Sequence, residues 1–408
     1  MYFFVICILY YQFVDSFGSN IFDGFQSFAL RDFLIIGHGM TENEAVSYMG
    51  LAMFPFYIIT ALAPAARMMV DKFGIRRVMF ANLFLLLLGC VLCVMSDNII
   101  VYLLGTAIII LTCSTDIQNI YLVTSFPNQK RASIKGFMGG VSAISMFMIP
   151  VIRKLIVNDF SVNWKVMYLI AILFSVIAIL IYALTRNDKT KNNFIKDKKV
   201  CKRSSTDNAY IDSHKRKYIK MASILLVIVG VATPAVTFYN EPMLSFSGMK
   251  EKDVTLALMV QAVVLFGVKL VCGVLADRFG KIRMAVIYLI FTCLSLVGYV
   301  ITIICMPIFA PACAGACFGI MVGCYFSGKD LIELVILENA DSGKLGCVSA
   351  FSTYAYGIGD GIGIVLMTLL VGYAGMGSTK LIVGIPVFVI SILYSLYIFN
   401  DSFFVPES

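Results

Sequence analysis

Eight ionisable side chains stand inside long apolar runs of this chain: Asp15, Asp23, Asp116, Lys269, Lys329, Asp330, Glu333 and Asp360. In hydrocarbon an ionisable group is costly unless it faces a partner or a water-filled cavity. These are therefore the residues with chemistry to offer: holding a polar solute, or carrying a proton. Gln12, Asp15, Ser16, Ser19, Asp23 and Gln26 recur at three- and four-residue steps, so on a helix they form one polar stripe that should face the protein interior. Asp116 precedes Arg131 by 15 residues and Lys329 precedes Lys344 by the same 15, which predicts equal depths for the two. Lys329 and Glu333 are four apart and could also neutralise each other on one helix face. Lys269, one turn before Gly273, and Arg67 are expected to snorkel toward an interface.

Other chemistry finds no support. The only histidines, His38 and His214, fall in loops, and there is no G-x-S-x-G motif, so no enzyme activity is expected. Gly372 to Lys380 is glycine-rich, but its lysine follows Ser378 and Thr379 where a phosphate-binding loop needs it before them, which argues against ATP-driven work. Cys90 and Cys93 form a C-x-x-C with no second pair and no nearby histidine, and most of the 12 cysteines sit in apolar runs as small hydrophobes. No metal or cofactor is expected.

The elements that must position these residues follow from composition. The 408 residues are 60% hydrophobic and 14% charged, with a mean hydropathy of +0.90. Apolar runs long enough to cross a bilayer as helix recur over 2–30, 45–68, 76–96, 99–125, 133–157, 164–185, 218–240, 254–275, 284–306, 309–337, 346–373 and 380–399. The pattern predicts an all-α integral membrane protein of about twelve transmembrane helices. Its first run, from Tyr2, lacks a basic n-region and a cleavage site and reads as a span, not a signal peptide. The basic stretch 186–217 divides the chain into an N-terminal six-helix unit, 1–185, and a C-terminal one, 218–408. Basic loops stay cytoplasmic. That rule places the termini, the linker, Lys72, Arg76, Arg77, Lys130, Arg131, Lys135, Arg278, Lys281, Arg283 and Lys344 inside, and leaves Arg153, Lys154, Lys165, Lys250, Lys252 and Lys380 among the few cations outside. The net charge of +8 is a topology signal that needs no nucleic acid.

After the eighth span the chain reads Gly273-Val-Leu-Ala-Asp277-Arg278-Phe-Gly280-Lys281-Ile-Arg283, and after the second Arg67-Met-Met-Val-Asp71-Lys72-Phe-Gly74-Ile-Arg76-Arg77. Gly74 and Gly280 permit a tight reversal between helices, and the basic residues pin it at headgroup level. This repeated device resembles the loop signature of the major facilitator superfamily, and the resemblance extends over the whole chain. Supporting echoes are Lys130-Arg131-Ala-Ser-Ile-Lys135-Gly136 after the fourth span, Ser342-Gly343-Lys344 after the tenth, and Asn163-Trp164-Lys165. The chain departs from the pattern at Arg67, where a small glycine is usual, at Gly105, where an arginine is usual, and at Ile149-Pro150, which replaces an antiporter-type Gly-Pro.

The resemblance implies two pseudo-symmetric six-helix bundles around a central cavity that rock to give alternating access. It makes Asp71, Lys72, Gly74 and Arg76, with Gly273, Asp277, Arg278, Gly280 and Lys281, gating motifs that either latch the halves or only anchor topology. Arg67 is expected to prevent the close approach on which the first latch depends. Asp15, Ser19, Asp23, Asp116, Lys329 and Glu333 become cavity candidates, and pseudo-symmetry allows Asp116 to face Lys329 across that cavity. The function implied is movement of a small polar solute, by proton-coupled symport, in a monomer of the plasma membrane without a cofactor. Antiport of an organic anion or drug, with Lys329 as the anion's partner, and a non-transporting sensor or scaffold are the alternatives.

Overall fold

The computed structural model describes residues 2–60, 63–113, 117–160, 162–184, 207–305, 310–340 and 345–398. Its α-helices are α1 (Tyr2–Leu30), α2 (Glu42–Thr60), α3 (Ala63–Phe73), α4 (Ile75–Val94), α5 (Ile99–Cys113), α6 (Ile117–Ser125), α7 (Arg131–Arg153), α8 (Val166–Leu184), α9 (Asp207–Thr237), α10 (Asn240–Ser245), α11 (Glu251–Phe279), α12 (Lys281–Ile304), α13 (Pro311–Glu338) and α14 (Leu345–Ile398). Taking α2 with α3, α5 with α6, and α9 with the short α10, and dividing α14 at Gly375, where φ is 74°, yields twelve spans. Among the described residues, eight helical stretches, with α5 and α6 taken as one, meet the length and apolarity needed to cross a membrane. The basic segment 186–217 lies outside the described residues as far as 206, and from Asp207 the chain is helical.

Two physical features make this a bundle for lipid. Leu173, Leu180, Val263, Leu294, Leu369 and Leu393 are exposed on helix faces, where hydrocarbon replaces water as solvent. The reversals that carry the signatures also take the shape glycine allows: φ is 85° at Gly74 and 94° at Gly280 with extended ψ, a conformation nearly reserved for glycine that costs other residues about 1–3 kcal/mol. The turns at 74 and 280 lie at one end of the bundle, the signature end. The loops at 37–41 and 246–250 lie at the far end.

Without a hydrophobic drive between helices in lipid, close backbone approach must hold the two halves together. α7 from the first half meets α11 from the second at Gly136 and Gly273. A Cβ on Gly136 would stand 2.6 Å from the Lys269 carbonyl oxygen, and one on Gly273 would stand 2.6 Å from that of Ala132. No side chain fits there without shifting backbone.

Candidate functional site

Between the halves lies a cavity of about 890 Å³, lined from α1, α3, α5, α7, α9, α10, α11, α13 and α14. Ser19 and Asp23 of α1, Lys329, Asp330 and Glu333 of α13, and Asp360 of α14 are on its wall, together with Lys135 of α7 and Lys269 of α11. The stripe on α1 does face inward. Gln12 donates to Ser142 Oγ at 2.7 Å, and Ser16 donates to the same hydroxyl at 2.8 Å. Asp15 is buried but is not part of the lining. Asp116 falls outside the described residues. The Lys329 ammonium lies 4.6 Å from the centroid of the Tyr356 ring, a cation–π distance.

At the signature end, polar bonds cross from one half to the other. α7 starts at Arg131 without a side-chain cap from Lys130, so its first N–H groups need acceptors. Asp277 of α11 supplies both: Ala132 N–H donates to Oδ1 at 3.1 Å and Ser133 N–H to Oδ2 at 2.7 Å. The carboxylate thereby sits at the positive end of the α7 dipole. Beside it, Arg131 of α7 and Lys281 of α12 converge on Glu338, at 3.4 and 2.8 Å. Deeper in, Arg67 of α3 forms a buried ion pair with Glu333 of α13 and donates to Ser349 Oγ at 2.6 Å. Asn119 of α6 donates to the other Glu333 oxygen at 3.1 Å and accepts from Lys135 Nζ at 2.7 Å.

The far end has a second bolt. Arg153, at 0% side-chain exposure, donates to Glu241 Oε1 at 2.9 Å and to Glu251 Oε1 at 2.7 Å, with its guanidinium 4.8 Å from the Phe28 ring centroid. Glu241, on the short helix α10, also accepts from Ser27 N–H at 2.7 Å and from the Ser27 and Ser245 hydroxyls. Arg153 and Ser27 belong to the first half, Glu241 and Glu251 to the second. Each end of the cavity therefore carries a buried arginine of the first half bonded to a glutamate of the second.

Residues 8–328 match the family profile of the Major Facilitator Superfamily. This chain belongs to that superfamily. The human organic anion transporter MFSD10 (TETRAN) shares the fold at 12% identity and a TM-score of 0.67, over 96% of this chain and 98% of that one. FucP, a major facilitator transporter in the outward conformation, shares it at 16% identity and a TM-score of 0.63, over 98% of each chain. No curated protein matches the sequence. The molecule is an integral, multi-pass membrane transporter with the all-helical major facilitator fold.

Several residues of this transporter behave differently from what their sequence positions predict. Arg67 does not snorkel and does not hold the halves apart. It is 1% exposed and is itself a bolt between them, because a carboxylate from α13 offsets its desolvation. Lys269 also turns inward, to Asp330 Oδ2 at 3.4 Å, and lies 5.7 Å from the Phe326 ring centroid. Glu333, read as a local partner for Lys329, is engaged by Arg67 and Asn119 from the first half. Arg153 and Lys380, counted as outer-loop cations, are both fully buried. Lys380 donates to the Ala235 carbonyl at 3.0 Å and to that of Phe238, satisfying the last turn of α9. Among the gating residues, Lys72 and Arg278 are exposed beside Phe73 and Phe279, and Arg76 donates to the Tyr182 carbonyl at 2.9 Å. The Asp71 side chain lies outside what is described. Glu241 and Asn119 were not singled out in the sequence, and Arg153 was read only as an outer-loop cation. The one available signal for Glu241 is a charged residue next to Pro242 in an otherwise apolar stretch.

Proposed function

We propose that this transporter moves a small polar solute by alternating access, coupled to protons in symport. The observation that carries the reading is the cavity bounded at both ends by buried arginine–glutamate bonds between the halves. Access to the cavity from either side needs one bolt to open while the other keeps the membrane sealed. On this reading 1–185 and 218–408 are the rocking units, joined by the 186–217 linker. The termini and the signature end face the cytoplasm, as the distribution of Lys and Arg favours. Asp23 of the first unit and Asp360 of the second, both on the cavity wall, are the proton carriers. Carboxylates facing each other's units across a cavity are suited to that work, because neutralising one alters the attraction between units.

Proteoliposomes loaded with a pH-sensitive dye, diluted into acidic medium with mixtures of small polar solutes, test this. Solute accumulation should accompany internal acidification, should collapse with a protonophore, and should be lost in Asp360→Asn. Accumulation indifferent to the protonophore, but dependent on an internal counter-solute, would replace symport with antiport. A sealed, folded protein that moves no solute under any gradient would favour a sensor or scaffold.

A further inference from the structure

Two lysines from opposite halves share one acid on the cavity wall. Lys135 Nζ of α7 is 3.6 Å from Asp330 Oδ1, and Lys269 Nζ of α11 is 3.4 Å from Asp330 Oδ2. Both separations exceed the 2.7–2.9 Å of a tight charge-assisted bond. The other acid lining the cavity at this end, Glu333, is held by Arg67 and Asn119. Two ammonium groups therefore face one carboxylate, which leaves an excess of positive charge at this part of the cavity wall.

The surroundings fit a ligand with an anionic head and an apolar body. Gly139, one turn along α7 from Lys135, makes room for the Lys269 stem, since a Cβ there would lie 2.9 Å from Lys269 Cδ. Leu265, Phe326, Val322 and Phe318 continue the wall away from the lysines. Lys135 also donates to Asn119, which donates to Glu333, the acid of the signature-end bolt. A ligand that draws Lys135 away from Asn119 would remove a support from that bolt.

We propose that Lys135 and Lys269 bind an anionic group of the transported solute, a carboxylate on an apolar skeleton, with Asp330 as the internal anion that occupies the site until the solute arrives. The inference rests on the transport reading, and it adds the substrate class and a connection from that substrate to one bolt. A carboxylate bridging the two lysines would tie the first half to the second, and the surplus positive charge makes it a better partner for them than a neutral group of equal shape.

Thermal unfolding of the purified full chain in detergent tests this without any gradient or coupling, so failure of symport in proteoliposomes leaves the outcome unaffected. The probes share one skeleton: 4-phenylbutyrate, 4-phenylbutyramide and 4-phenylbutylamine. Only the carboxylate is expected to raise the melting temperature, with Lys135→Gln and Lys269→Gln each weakening its apparent affinity by about tenfold or more. Asp330→Asn, which removes the internal competitor, should strengthen it, and Lys269→Arg should keep it. The Asp330→Asn and Lys269→Arg arms hold the test open if a glutamine variant unfolds. Equal stabilisation by the amide or amine, no response to the carboxylate, or unchanged or weaker carboxylate binding in Asp330→Asn would overturn the proposal.

Discussion

Arg67→Met is expected to lower the stability of the chain by about 3–5 kcal/mol, because it leaves Glu333 charged, buried and without its arginine. The pair is almost sealed from solvent, at 1% and 3% side-chain exposure, so little water reaches it to screen the loss. Asn119 remains on Glu333, but a neutral amide does not replace a guanidinium. Because the pair joins the halves, the loss should fall on the closed signature end, and the variant should populate forms open there. Thermal unfolding reads the first effect, and alkylation of a cysteine placed at Ser352, buried on the cavity wall, reads the second. The exchange Arg67→Glu with Glu333→Arg should recover part of both. Wild-type stability in Arg67→Met would mean that the pair is not a bolt.

The far end gives the other large effect, and it comes with an internal control. Glu241 and Glu251 both meet Arg153, but Glu241 is 1% exposed and Glu251 36%. Glu241→Gln should destabilise by about 3–5 kcal/mol, leaving a guanidinium buried beside Phe25 and Phe28 with the outer Glu251 as its only carboxylate and the Gly24 carbonyl as a neutral acceptor. Glu251→Gln removes a half-solvated bond and should cost only about 0–1 kcal/mol. Paired melting curves decide between a buried bolt and a surface bridge. Equal shifts for the two variants would show that Arg153 relies on both acids alike, and a larger shift for Glu251→Gln would reverse the assignment.

The spans were legible because lipid imposes a length on apolar segments, and the twelve runs read from hydropathy coincide with helices to within a few residues at most ends. The reversals at Gly74 and Gly280 were legible too, since tight turns of this kind need glycine. So was the inward stripe on α1, which needs only helical periodicity. The bolts were not. Arg67 and Lys269 sit near helix ends, where snorkelling is the cheaper outcome for an isolated helix, and only the carboxylates Glu333 and Asp330 on α13 reverse that preference. Nothing in the local sequence announces a partner 266 residues away. Arg153 and Lys380 were read as loop cations for a related reason. Both lie within a turn or two of a span end, and burial there depends on Glu241 and on the last carbonyls of α9, which come from other helices. Helical spacing permits Lys329 to meet Glu333 without requiring it, and it gives no hint of Arg67 and Asn119, which reach Glu333 from other helices.

These observations reduce to one claim, that the bolts at Arg67 and Arg153 open in alternation. Electron–electron distance measurement on reconstituted protein tests it most directly, with one spin-label pair at Lys130 and Cys347 and another at Lys154 and Lys250, all exposed positions, in a background otherwise free of cysteine. Breaking the far-end bolt with Glu241→Gln should lengthen the Lys154–Lys250 distance and leave the Lys130–Cys347 distance short, and Arg67→Met should do the opposite. Distances that lengthen together at both ends, or that move at neither, would contradict alternating access through this cavity.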